Sequence, residues 1–180
     1  LNYLLRKCSE NRLYIGVMNK LNLFTGFKNV ELSEQGIDEA NKAGQNFKKL
    51  NLKFDLVFTS ELKRAQDTAK IILENLDQLD DLNSKSKIIE SFNLNERDYG
   101  DLTGLDKKET AEKFGDEQVH KWRRGYSDQP PNGESLEDVV NRVKTYLIVA
   151  TDMNGKNVKE KPSFCLNSPF ILFLRTDIFS

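Results

Sequence analysis

The sequence predicts an α/β domain, because short apolar runs alternate along the chain with longer segments of helical periodicity. The run at 54–58 (FDLVF) is typical of a buried strand, and 86–90 (SKIIE) resembles a second one. Between them, apolar residues repeat at helical spacing over 61–76. Strands separated by helices favour parallel pairing within one sheet.

Four further helices and one further strand are predicted around this central unit. Ser33 is a candidate cap for a helix over 33–50, and Thr59 and Ser60 are candidate caps for the helix that follows the first strand. Helical patterns also cover 106–124, as two short helices, and 134–151. They are separated by the turn-forming segment SDQPPNG, and LNSPFILFL near the end of the chain is a candidate strand.

Composition excludes several classes of protein. The 180 residues suffice for one domain, and the net charge of −1, from 27 basic and 28 acidic residues, argues against a general binder of nucleic acid or anionic membranes. No apolar run approaches the roughly 18–20 residues of a membrane span, and no secretory signal is evident. Cys8 and Cys165 are too few for a disulfide framework and wrongly spaced for zinc, so we expect a cytoplasmic protein without a bound metal.

A polar loop and several cations supply the candidate chemistry. The loop at 92–105 (FNLNERDYGDLTGL) is rich in Asn, Asp and Gly, which is typical of functional loops. In open α/β sheets ligands bind beyond the carboxyl ends of the strands, and arginine forks suit phosphate oxygens. The candidate cations are Arg64, Arg97, Lys107, Arg123 and Arg124. Ordinary surface charge is the alternative for each of them, and Glu96 is either an ionised structural partner or a general acid and base.

A family resemblance rests on blocks that occur in a fixed order. They are Phe24-Thr25-Gly26-Phe27, Leu32 to Gly36, Phe58-Thr59-Ser60-x-Leu62-x-Arg64-Ala65, Leu94 to Gly100, Gly104-Leu105-x-Lys107, Trp122-Arg123-Arg124 and Pro130 to Leu136. Together they resemble the 2,3-bisphosphoglycerate-dependent phosphoglycerate mutases of the histidine phosphatase superfamily, in a short bacterial form. The resemblance implies one three-layer α/β/α domain over 1–180 with a mostly parallel central sheet. Residues 19–147 match well, whereas 1–18 and 148–180 diverge, so we expect the sheet to be incomplete towards the carboxyl end.

The resemblance also assigns roles to individual residues. Glu96 corresponds to the proton donor and acceptor, and Arg64 to an arginine of the catalytic phosphate pocket. The remaining ligand-binding positions are Asn19, Thr25, Gly26, Arg97, Asp98, Tyr99, Lys107, Arg123 and Arg124. The implied cofactor is 2,3-bisphosphoglycerate without a metal, and the implied partners are phosphoglycerate-type small molecules and, as in the family, a second copy in a homodimer.

The histidine chemistry of the family is where the sequence departs from it. Family members carry the phosphoryl group on a histidine after the first strand, but here that position holds Leu13 in an ungapped comparison or Lys7 in the alternative one. A second histidine expected near the carboxyl end is also replaced, and an Asn167-Ser168 echo of its motif is attributed to chance. The chain holds one histidine, His120, which we expect on the outside of a helix at neither catalytic position.

Three functional hypotheses follow from this pattern. The first is a mutase-family protein for the glycolytic interconversion of 3- and 2-phosphoglycerate that is inactive as written, a pseudoenzyme. The second is a non-catalytic remnant that binds a phosphorylated ligand or a partner. The third, a phosphatase of the same superfamily, is disfavoured because it requires the same missing histidine and because the Asn-Glu-Arg and Trp-Arg-Arg blocks favour a mutase.

Overall fold

The computed structural model describes residues 21–153 and 171–174. These fall into two compact units, the first formed by 21–28 and 96–153 and the second by 29–95 and 171–174. The expectations for Lys7, Leu13, Asn19 and the echo at 167–168 lie outside the described residues.

The described residues of the second unit form a three-stranded sheet. Strand β1 (Leu56–Thr59) lies in the middle, between β2 (Ile88–Glu90) and β3 (Ile171–Leu174). β1 pairs in parallel with β2, with Val57 opposite Ile88, and antiparallel with β3, with Val57 opposite Phe173. The α/β class and both predicted central strands are confirmed, and the candidate strand near the end of the chain forms over 171–174.

Three helices accompany this sheet, namely α1 (Glu34–Lys49), α2 (Lys63–Asn75) and the short α3 (Leu79–Ser84). The cap predicted for α1 is present, since Ser33 Oγ accepts a hydrogen bond from the Gly36 amide at 3.1 Å. The helices α1 and α2 approach each other closely at Gly44, where an added Cβ would stand 2.7 Å from the Asn75 Cβ. The absence of a side chain at this position therefore permits the contact.

The start of α2 differs from the prediction. Leu62 occupies the N-cap position without a side-chain hydrogen bond, so neither Thr59 nor Ser60 is the cap. Instead, the Ser60 hydroxyl accepts from the Leu62 amide at 3.4 Å, and the Asn29 side chain accepts from the Lys63 amide at 2.8 Å. The second unit thus satisfies the first donors of α2 partly from a residue distant in sequence.

The first unit is helical, with α4 (Lys107–Phe114), α5 (Asp116–Arg124) and α6 (Leu136–Met153). Two 3₁₀ turns also occur, Phe92–Leu94 in the second unit and Gly100–Leu102 in the first. Gly115 separates α4 from α5 and has a φ of +86°, a conformation that glycine adopts without strain. No helix in the described part of the chain is both long and apolar enough to cross a membrane.

The core of the first unit is built around Phe24. Its ring is completely buried against Leu102 and Val119, with its centroid 4.9 Å from that of Tyr99. The Phe24 amide donates to the Leu105 carbonyl at 3.0 Å, and its own carbonyl accepts from the Gly104 amide at 2.7 Å. This pairing joins the segment before Thr25 to the loop that precedes α4, so two of the sequence blocks meet in the first unit.

Candidate functional site

Arg97 lies at the centre of the candidate site in the first unit. Its side chain is only 2% exposed, and Nη2 donates hydrogen bonds to the Tyr99 hydroxyl at 2.9 Å and to the Arg123 carbonyl at 3.0 Å. Nη1 has no hydrogen-bond partner among the described residues. Burying a donor without a partner costs about 1–3 kcal/mol, so an acceptor from a ligand or water would stabilise this guanidinium.

These bonds tie together two other predicted ligand-binding residues. The Arg123 carbonyl is near the end of α5, where helix carbonyls lack an intrahelical partner and a cation is favourable. Arg97 therefore fixes both the Tyr99 hydroxyl and the end of the helix that carries Arg123 and Arg124. Arg123 is partly buried, whereas Arg124 is exposed.

Lys107 and Arg123 form a cationic pair close enough to interact electrostatically. Burial lowers the pKa of the Lys107 ammonium below its ordinary value, and the positive charge of Arg123 lowers it further. The carboxylates of Glu96 and Asp106 oppose this change and favour the charged form. Two partly buried cations repel each other, and a nearby anion would relieve that repulsion.

Lys107 owes its place to the residues around it. The Asp106 side chain caps α4 by accepting from the amides of Lys108 at 2.7 Å and Glu109 at 3.0 Å. The Lys107 amide donates to the Asn22 carbonyl at 3.0 Å, and Nζ stands 5.8 Å from the centre of the Phe24 ring. The start of α4 and the buried Phe24 ring thus fix the position of the Lys107 ammonium group. Glu96 lies in the same unit.

The Thr25-Gly26 block packs against the same loop. Gly26 has a φ of +51°, and a Cβ there would stand 2.6 Å from the Thr103 hydroxyl oxygen and 3.2 Å from an Asp98 carboxylate oxygen. The hydroxyl oxygens of Thr25 and Thr103 are buried and lack hydrogen-bond partners. Among the described residues of the first unit, these two oxygens and Arg97 Nη1 are therefore buried polar atoms that a ligand or water can satisfy. Thr103 was not among the predicted site residues.

An open depression of about 530 Å³ is lined by Lys107 and Arg123. His120 also lines it and is exposed, as the sequence predicts. Glu112 and Asp116 contribute negative charge to the same lining. Among the described residues, no group of histidine, cysteine, aspartate and glutamate side chains is arranged to hold a metal ion.

Arg64 belongs to the second unit. It lies in the first turn of α2 and is 2% exposed, and its carbonyl accepts from the Thr68 hydroxyl at 2.7 Å. A buried arginine directly after a strand agrees with its predicted place beyond the carboxyl end of β1. The other predicted residues within the described ranges all belong to the first unit, namely Thr25, Gly26, Glu96, Arg97, Asp98, Tyr99, Lys107, Arg123 and Arg124.

Comparison with known families now places the chain. The family model of the histidine phosphatase superfamily, branch 1, matches residues 9–158. The chain belongs to this superfamily. The match includes the Thr25-Gly26 block, the loop from Glu96 to Tyr99, and the helices α4 and α5, which carry Lys107 and Arg123.

Curated relatives of this superfamily member are named 2,3-bisphosphoglycerate-dependent phosphoglycerate mutase. The protein of Parvibaculum lavamentivorans is 53% identical over 129 residues, which are 72% of this chain and 59% of the relative. That of Bartonella bacilliformis is 52% identical over 128 residues, 71% of this chain and 60% of the relative. The chain thus spans about three fifths of the length of these relatives. The recognised superfamily is confirmed by the family model.

Solved structures support the same fold. The mycobacterial glucosyl-3-phosphoglycerate phosphatase in its VO3 complex has a TM-score of 0.64 at 25% identity, covering 77% of this chain and 63% of that one. The alpha-ribazole phosphatase of Shigella flexneri has a TM-score of 0.62 at 24% identity, covering 78% and 64%. These solved structures are named as phosphatases, whereas the curated relatives at about twice the sequence identity are named as mutases.

Proposed function

We propose that this chain is a phosphoglycerate-mutase-family protein that binds phosphoglycerate-type anions in the first unit and does not interconvert them. The observation that carries the binding part is the pairing of Lys107 with Arg123 beside the buried Arg97. Three cations of this kind fit a ligand that bears phosphate and carboxylate groups, because each group needs charge-assisted donors.

Within this proposal, 2,3-bisphosphoglycerate is the ligand that best matches the charge of the site, and no metal is required. Lys107 and Arg123 supply charge, and Arg97 offers Nη1 together with the Tyr99 hydroxyl it holds. Glu96 occupies the position that, by the family resemblance, holds the proton donor and acceptor, and here we propose that it lies beside the bound ligand. Thr25, Gly26, Asp98 and Arg124 complete the proposed ligand contacts in the first unit.

The absence of turnover is proposed from the sequence itself. A phosphoryl group is transferred through a nucleophile, and in this family that nucleophile is a histidine. By the resemblance, the first histidine position holds Leu13 or Lys7, and the motif of the second histidine is not recognisable after Val158. His120 is exposed on α5 and lines the depression together with Lys107, but its place in the chain matches neither histidine motif. A cytoplasmic location and a homodimer remain predictions.

Two measurements on the full chain test this proposal together. Isothermal titration with 2,3-bisphosphoglycerate should give saturable binding, and a coupled assay for 2-phosphoglycerate formation should give no rate above the uncatalysed background. The variant Lys107→Met should weaken binding by about tenfold or more, since hydrogen bonds to charged groups contribute about 1.5–3 kcal/mol.

Lys48→Met is the matched control. Lys48 makes an exposed ion pair with Asp77 at 2.7 Å in the second unit, so its loss should leave binding unchanged. Equal effects of the two variants would show that net charge, and not this site, determines binding. Turnover by the unmodified chain would refute the claim of inactivity while leaving the binding claim intact.

A further inference from the structure

We infer that Glu134 and Arg142 are positioning residues that hold the loop carrying Glu96, and that neither contacts the ligand. The effect of this pair on ligand affinity rests on the proposed function, whereas its effect on the loop does not. The family resemblance assigns no role to either residue, and neither is one of the three cations Arg97, Lys107 and Arg123.

The two side chains form a partly buried, two-bonded ion pair. Arg142 Nε donates to Glu134 Oε1 at 2.8 Å, and Arg142 Nη2 donates to Glu134 Oε2 at 2.8 Å. The side chains are 14% and 22% exposed, which distinguishes them from Lys48–Asp77, at 59% and 78%. Parallel bonds between a guanidinium and a carboxylate fix both groups in orientation as well as in distance.

Both members of the pair also bond to the backbone of the loop. Arg142 Nη2 donates to the Glu96 carbonyl at 3.2 Å, and Glu134 Oε2 accepts from the Asp98 amide at 3.0 Å. The Glu134 amide in turn donates to the Asp98 carbonyl at 3.0 Å. The backbone on both sides of Arg97 is therefore held by the pair, and with it the directions of the Glu96 and Arg97 side chains.

The pair is itself anchored at the start of α6. The Ser135 hydroxyl accepts from the Asp138 amide at 3.1 Å, and the Asp138 carboxylate accepts from the Ser135 amide at 2.9 Å, a reciprocal capping arrangement. Arg142 follows within the same helix. Arg142 thus lies on the capped helix, and Glu134 lies just before it. Anchoring both residues at one helix start lets the pair hold the polar loop in a fixed position.

The test uses hydrogen exchange in the full chain, followed by mass spectrometry of a peptide covering 96–102. In Arg142→Met, exchange in this peptide should rise by about tenfold or more, because a carboxylate and a carbonyl lose charge-assisted bonds. Arg142→Lys keeps the charge but not the fork and should give an intermediate rise. Lys48→Met, which breaks an exposed pair, should leave the peptide unchanged.

A second readout links the pair to ligand binding. Arg142→Met should weaken 2,3-bisphosphoglycerate binding by about tenfold, with partial rescue in Arg142→Lys, although neither residue supplies a ligand contact. Faster loop exchange together with unchanged affinity would overturn the link to the site. If the unmodified chain does not bind this ligand, the proposed function fails, and the exchange experiment alone still decides whether the loop depends on the pair.

Glu134→Gln guards against a variant that does not fold. It retains the size of the side chain and removes its charge, and exchange at 96–102 should again rise. Unchanged exchange in either folded variant would overturn the inference. Global loss of structure in both variants would also overturn it, since the pair would then stabilise the whole unit and not the loop in particular.

Discussion

Gly100 offers a sharp test of the packing that supports the candidate site. It follows Tyr99 and has a φ of +53°, in the left-handed region that favours glycine. A Cβ at this position would overlap backbone atoms of Pro131, Asn132 and Gly133. Those atoms belong to the backbone, so a side-chain rotation cannot relieve the overlap.

The expected cost of Gly100→Ala has two parts. Left-handed backbone costs a non-glycine residue about 1–2 kcal/mol, and overpacking costs about 1–3 kcal/mol. The total of about 2–5 kcal/mol should lower the midpoint of thermal unfolding by about 4–20 °C for a protein of this size. Moving the 131–133 backbone would also disturb the bond from the Asp101 amide to the Pro131 carbonyl, which measures 3.0 Å.

Gly104→Ala is the matched control for this variant. Gly104 also has a positive φ, +91°, but the nearest atom to an added Cβ is the flexible Lys28 Nζ at 3.8 Å. This variant should therefore incur only the backbone strain. Thermal unfolding followed by circular dichroism compares the two, and equal midpoints for Gly100→Ala and Gly104→Ala would refute the packing argument.

Three further changes test other parts of the structure. In the unmodified chain, affinity for 2,3-bisphosphoglycerate should fall at alkaline pH, and in Lys107→Met this fall should be absent. In the unmodified chain the lowered pKa lets Lys107 lose its proton below the ordinary value of 10.5, so titrations at rising pH should show affinity falling earlier than for an ordinary lysine. The same lowered pKa means that the unfolded chain binds more protons between the two pKa values, so the contribution of Lys107 to stability rises with pH there. Phe24→Leu should cost about 1–2 kcal/mol in urea unfolding, because the fully buried ring loses its contact with Tyr99, whereas Phe92→Leu at an exposed position should cost little. Ser33→Ala should cost about 1 kcal/mol through loss of the α1 cap, and Ser33→Asp should restore it; equal stability of the two Ser33 variants would contradict the capping role.

Local sequence patterns were sufficient for the elements whose signals are local. The apolar run at 54–58 and the helical periodicity after it predicted β1 and α2, because the spacing of apolar residues shows which positions are buried. The cap of α2 was not predictable in the same way. Asn29 reaches the Lys63 amide across 34 residues of sequence, and only the fold brings them together.

The candidate site shows the same division. The clustering of Lys107 with Arg123 was expected from the sequence blocks, and the structure places both in the first unit beside Glu96. The deep burial of Arg97 was not expected, because a charged residue in a polar loop usually faces solvent. Its support by Tyr99 and the end of α5 depends on tertiary packing that periodicity does not encode.

The roles of Glu134 and Arg142 were also missed, although the block that contains Glu134 was recognised. The sequence showed the block as a break before a helix, and its prolines and glycine account for that break. The bonds from this pair to Glu96 and Asp98 join residues 46 and 36 positions apart, respectively. Ser135 before an apolar helical run is typical of a helix start, but this pattern does not indicate that Glu134 and Arg142 bind the loop.

Binding of phosphate-labelled 2,3-bisphosphoglycerate to the full chain, followed by alkaline denaturation, tests the central claim most directly. The proposal combines a retained anion site with the loss of the family histidine that would accept the phosphoryl group. It therefore predicts saturable label before denaturation and none attached to the protein afterwards. Label that remains attached, at His120 or elsewhere, would contradict the claim of inactivity. Absence of saturable binding would contradict the proposed anion site.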